Sequence, residues 1–153
     1  MNNAPQQVVL HDSAATSKLD KTSAEDLGVY EPKQVVLEKY PLKAFIAQRR
    51  SFSSSWYKDR PWLEYSVNQD AAFCFTCRKY TKACFNYTEA VFISKGYYDW
   101  KHATCTSKGF DKHASSKEHL MCDAMWRECA NRIKSGTKIS TLLISDQLAR
   151  NRY

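Results

Sequence analysis

The sequence predicts an α+β fold, with a short antiparallel β-hairpin, two C-terminal helices and a disordered N-terminal leader, and three observations carry this. Leu63-Glu64-Tyr65-Ser66-Val67 alternates apolar and polar side chains, as a half-buried strand does. Ala71-Ala72-Phe73-Cys74-Phe75 reads as its returning partner, and Asn68-Gln69-Asp70 between them has turn chemistry. Downstream, apolar residues recur at helical spacing in two segments. One holds Phe110, His113 and Ala114; the other holds Leu120, Met121, Ala124, Met125, Cys129 and Ile133.

From the N-terminus, Met1 to Glu31 is polar and shows no sustained period. Val35-Val36-Leu37 suits a short extended piece between Pro32 and Pro41, which discourage a longer helix. Aromatic density then rises through Phe45, Phe52, Trp56, Tyr57, Trp62, Tyr65, Phe73 and Phe75, the expected start of an ordered domain. The domain reading is therefore a mostly disordered leader over 1–45, an ordered domain over 46–136 and a helical tail over 137–153. Phe92 to Gly96 suits a short strand and turn. Ser107 is placed to cap the first helix, and Ser115 with Glu118 three residues on offers a capping box for the second. Gly136 is a natural stop, and Ile139, Leu142 and Leu143 keep helical spacing beyond it.

Composition narrows the function classes. At 153 residues with 43% hydrophobic and 13% aromatic content, one packed domain with tails is expected and wholesale disorder is excluded. No run approaches the roughly 18 apolar residues of a membrane span, and the first twenty residues hold no secretory h-region. The expectation is an intracellular protein with no membrane partner. In a reducing compartment the six cysteines read as metal ligands or buried thiols before disulfides. Charge is uneven: residues 1–45 carry five lysines against six acidic residues, whereas 46–153 carry 18 basic and 10 acidic, a net +8. Such a block is the electrostatic footprint of a nucleic-acid binder, although a soluble basic surface would look the same.

The chemistry sits in two pairs. Cys74 and Cys77 form a C-x2-C knuckle, whose two-residue gap lets both thiolates converge on one cation. His113 and His119 lie five residues apart with Ser115-Ser116 between them. On one straight helix they would diverge by about 120°, but a break at the serines lets both face one metal. Two thiolates and two imidazoles complete a closed, structural zinc site, with one Zn2+ and no position left for catalytic water. Spacing alone also allows Cys74 and Cys77 to be core thiols and the histidines surface residues. The 35-residue gap between the pairs exceeds that of short zinc fingers. Among the other cysteines, Cys84, Cys105, Cys122 and Cys129, only Cys122 is placed to substitute as a ligand, one turn past His119. Arg78, Lys79, Lys95, Lys101, Lys108, Lys112 and Lys117 are candidate nucleic-acid contacts, with Arg49-Arg50 as a further pair. Trp56, Trp62, Trp100 and Phe110 have the chemistry to stack on bases, but aromatics this dense more often form core.

Trp62-Leu63-Glu64-Tyr65-Ser66, followed by Asp70-Ala71-Ala72-Phe73-Cys74-Phe75-Thr76-Cys77-Arg78, resembles the TTF-type zinc finger of hAT-type transposases and of the transposase-derived zinc finger MYM-type proteins. The likeness continues through Phe92, Gly96, Asp99-Trp100-Lys101, Gly109-Phe110, His113, Ser116 and His119, covering about residues 50–122. Tyr30-Glu31-Pro32 and Tyr40-Pro41 resemble the leader before that finger. The resemblance implies Cys74, Cys77, His113 and His119 as metal residues, DNA as partner and a nuclear location. Full-length relatives continue into an RNase H-like catalytic core, which does not fit in the residues after Lys138, so no catalytic residues and no small-molecule substrate are expected here. A metalloprotease-type H-E-x-x-H is absent. The competing expectation is a zinc-stapled protein–protein interaction module, engaging partners through the C-terminal helix.

Overall fold

The computed structural model describes residues 26–84 and 90–150, with side chains over 26–82 and 90–136. The fold is α+β, as the sequence predicts, with two small antiparallel hairpins and C-terminal helices. The expected hairpin is β3 (Leu63–Ser66) paired with β4 (Ala71–Cys74), with Leu63 opposite Cys74 and Ser66 opposite Ala71. Val67 falls outside the strand, and Asp70 turns the chain with a left-handed φ of 47°. Both strands are buried throughout: the chain from Asp26 to Lys33 meets Glu64, Ser66, Ala71 and Phe73, and an aromatic core that includes Phe52 and Trp100 meets Tyr65 and Ala72.

A second hairpin lies earlier: β1 (Lys43–Phe45) pairs with β2 (Gln48–Arg50). The expected boundary at 46 would cut this hairpin in two, so the ordered domain begins further upstream. Residues 1–25 of the leader lie outside the described residues; the part from Asp26 onward packs. Leu27 is buried with Ala71 and Phe73, and the Asp26 carboxylate accepts bonds from Ser66 Oγ at 2.7 Å and Asn68 N at 3.1 Å. Glu64 Oε1 accepts from the backbone N–H groups of Gly28 and Lys33 at 2.8 and 3.0 Å. Gly28 is required there, since a Cβ would stand 1.8 Å from the Glu31 carbonyl oxygen. From Asp26 onward the leader is held by hydrogen bonds with the buried Glu64 and Ser66 side chains of β3, so it needs no amphipathic face.

Three expectations about the helices need correction. Phe75 opens α1 (Phe75–Cys84) instead of ending the strand, so the C-x2-C pair spans a strand end and the first helical turn rather than a tight knuckle. Phe92 to Gly96 is no strand: Val91–Lys95 makes one π-helical turn, closed by Gly96 N–H on Val91 O at 2.8 Å. The strand-like pairing falls one residue later, where Tyr97 and Ala72 exchange backbone bonds of 2.7 and 2.8 Å. Gly96 permits that step with φ 86°, and a Cβ there would approach the Ala71 methyl to 2.6 Å. Thirdly, α2 (Gly109–Ala114) follows Lys108 rather than an N-cap Ser107, and α3 (Lys117–Arg150) is capped by Ser116, not Ser115. The backbone of α3 runs through Gly136, which therefore does not stop it. The side chains of Ile139, Leu142 and Leu143 lie outside the described residues.

The face α3 buries also differs from its apolar stripe. His119 and Cys122 are buried, and Trp126 packs on Phe75 with ring centroids 5.5 Å apart, along an i, i+3, i+7 row against α1. Leu120, Met121 and Ile133 instead stay 57%, 43% and 66% exposed, and Ala124 and Cys129 are exposed too. Between hairpin and helices sits an aromatic core in which Phe52 lies 4.6 Å from Tyr65 and 5.6 Å from Trp100. Trp62, Trp100 and Phe110 are buried and Trp56 packs against them, so these rings form core. No helix among the described residues is long and apolar enough to cross a membrane.

Candidate metal centre

Four elements bring the two pairs together. Cys74 ends β4, Cys77 lies in the first turn of α1, His113 is near the end of α2 and His119 is in the first turn of α3. The break between the helices is made by Ser116, whose hydroxyl donates to His113 O at 2.7 Å and accepts from His119 N–H at 3.2 Å. One side chain thus closes one helix, opens the next and sets both imidazoles on the same side. All four residues are buried, and their ligand atoms lie within 4.8 Å of one another. Cys74 Sγ is 3.4 Å from His119 Nδ1; Cys77 Sγ is 3.5 Å from His113 Nε2 and 3.6 Å from His119 Nδ1. This set could hold one metal ion.

The electrostatics suit a cation. Burial disfavours the Cys74 thiolate, but hydrogen bonding from Cys77, His113 and His119 outweighs it and holds that thiol well below its ordinary value. Cys77 moves the other way, pushed up by its bond to the Cys74 sulfur and by burial. A dication between two adjacent buried sulfurs would favour the thiolate form of both. Around the donors, Trp62 stands 5.3 Å from the His113 ring and 4.9 Å from the His119 ring, and Phe92 stacks on His113 at 4.2 Å. These rings keep water out of the centre. Thr76 Oγ1 lies 3.2 Å from Cys74 Sγ, a supporting contact that no spacing rule could find. Cys122 falls outside the four-residue set; its sulfur meets Thr81 Oγ1 at 3.7 Å in the α1–α3 interface. No disulfide joins any described cysteine.

The candidate nucleic-acid residues divide. Arg78 is committed within the fold: Nε and Nη2 bind Glu64 Oε2 at 2.8 and 2.7 Å, and Nη2 also donates to Gly28 O at 2.8 Å. Burial pushes the Glu64 carboxyl up, against the opposing pull of Arg78 and the two backbone N–H groups. Lys79 donates to Val29 O and lies over the Tyr30 ring, so it too holds the leader. Lys95, Lys101, Lys108, Lys112 and Lys117 are exposed, as are Arg49 and Arg50 on β2. Lys108 and Lys112 border a cleft of about 230 Å³ beside His113, walled by Val91, Phe92 and Tyr97. No known protein-family model matches the chain, and no solved structure matches it.

Proposed function

We propose that the chain is a zinc-stapled DNA-binding module without catalytic function, of the TTF type its motifs resemble, acting in the nucleus. The observation that carries this reading is the closed set of four buried donors. With Zn–S bonds of about 2.3 Å and Zn–N bonds of about 2.0–2.1 Å, a tetrahedron has S···N edges of about 3.5 Å. Three of the four S···N separations here are 3.4, 3.5 and 3.6 Å, and all donor atoms lie within 4.8 Å of one another. A mixed sulfur–nitrogen tetrahedron favours zinc over hard cations, which prefer oxygen. With all four positions taken by protein, the ion has a structural role, and the working part of the molecule is its surface. That surface is basic after residue 45 and keeps Lys95, Lys101, Lys108, Lys112 and Lys117 exposed.

The exposed Leu120, Met121 and Ile133 on α3 favour a second reading, a zinc-stapled module that binds protein through this helix. A salt series separates the two. Binding of the zinc-loaded chain to duplex DNA should weaken steeply as salt rises, each neutralised phosphate adding close to 0.9 to the slope of log affinity against log salt. No affinity for DNA at low salt would defeat the first reading and leave the second.

A further inference from the structure

We propose that the cleft beside the metal centre seats one phosphate of the DNA backbone, held by the Nδ1–H of His113 and the ammonium groups of Lys108 and Lys112. The inference rests on the nucleic-acid reading above and assigns it a contact point. Its starting observation is an orphaned atom. His113 is 2% exposed, its Nε2 faces the Cys77 sulfur at 3.5 Å, and its Nδ1 is buried with no hydrogen-bond partner. An imidazole that gives its Nε2 lone pair to a metal carries its proton on Nδ1, and such a proton is almost always donated to an acceptor. Among the described residues none accepts it, and the cleft that His113 lines has room for an acceptor from outside the chain.

The cleft shows what kind of acceptor fits. His113 lines it together with Phe92, Tyr97, Lys108 and Lys112, and both lysines are exposed. No carboxylate lines it, and among the described residues neither lysine is in an ion pair. The two hydroxyls on its wall donate elsewhere, Tyr97 to Asp99 O at 3.0 Å and Ser116 to His113 O at 2.7 Å. What remains is two cations and one neutral N–H donor above an apolar wall. That combination selects an anion with several oxygens pointing in different directions, as a phosphodiester has. Zinc would then have a second consequence beyond folding: by fixing the tautomer of His113 it turns the ring into a phosphate donor.

The test uses the full zinc-loaded chain labelled with 15N-histidine, titrated separately with duplex DNA and with inorganic phosphate. Both should move the Nδ1–H resonance of His113, and Lys108→Ala/Lys112→Ala should abolish the movement while zinc content stays unchanged. In the DNA salt series the double variant should lose about 0.9 of slope, the contribution of one phosphate, or about eight-fold in affinity at 0.1 M salt. A slope change near 1.8 would place the lysines on separate phosphates and overturn the shared seat. DNA binding with an unmoved Nδ1 signal would also overturn it, with a water as the acceptor, and leave the nucleic-acid reading standing. Movement with inorganic phosphate but no binding of DNA would overturn the DNA assignment and that reading together.

Discussion

Cys74 and Cys77 sit side by side in a dry, aromatic-walled space, one thiol pulled down and the other pushed up. Removing one of them should do more than remove one donor. It should leave two imidazoles and a single sulfur around a site shaped for four ligands. Cys77→Ser is therefore expected to lose tight metal binding, whereas Cys122→Ser should keep it, because Cys122, whose sulfur touches both Thr81 and Cys77, is not one of the four donors. Metal content after passage over a weak chelator measures this, and loss of metal from Cys122→Ser equal to that from Cys77→Ser would show the donor set to be wrong. At this scale the sequence was most legible where chemistry constrains spacing. The two-residue gap between the cysteines and the serine-broken gap between the histidines each follow from geometry. Arg78 was not legible. Its partners are Glu64, on a strand that looked half-solvated, and the carbonyl of Gly28 in an apparently featureless leader.

Elements were readable in proportion to how far their own periodicity, rather than the convergence of the four donors, decided their packing. The β3–β4 hairpin has an alternating first strand and a polar turn, and it forms where these signals place it. For α3 the apolar stripe pointed to the wrong face. His119 must reach the sulfurs, so its row with Cys122 and Trp126 turns inward and Leu120 and Met121 turn out. Likewise α1 was hidden because the knuckle pattern suggests a turn, whereas Cys77 is reached by helical winding directly after β4. Gly136 has nothing within 4 Å of a would-be Cβ, so its place in the helix is sterically neutral and no break follows from it. The helix start gives a sharp test. Ser116 accepts from His119 N–H, the third residue of α3, while Ser115 Oγ only donates back to Lys112 O at 3.0 Å. Ser116→Ala should cost about 1 kcal/mol, the usual value of an N-cap, with Ser115→Ala near neutral in denaturant titration. The reverse order would restore the capping box at Ser115 and Glu118.

At the scale of the whole molecule the four-donor cluster joins two halves. Its cysteines come from β4 and α1, and α1 with β3 carries the leader through the Arg78–Glu64 pair; its histidines come from α2 and α3. The two halves also share an aromatic core, in which Phe110 of α2 meets Trp56 at 5.4 Å and Trp62 at 6.3 Å. What happens on metal removal depends on which link is larger. Zinc binding in comparable small sites contributes about 10–16 kcal/mol, whereas the net stability of a domain is about 5–15 kcal/mol. The metal term is as large as everything left after the core has offset chain entropy, so the core alone should not hold the halves together. Chelation should therefore collapse the near-ultraviolet circular dichroism of the buried tryptophans. Trp62 will be the most sensitive of these, since its ring lies against both histidines. Arg78 follows Cys77 directly in α1, so loss of the first helical turn should also free Gly28 and Glu64 from it. Cleavage by a protease between Asp26 and Lys33 should then rise at the same chelator concentration as the spectral change. An intact near-ultraviolet signal after complete metal removal would mean that the aromatic core suffices and that the metal is an ornament on a self-sufficient fold.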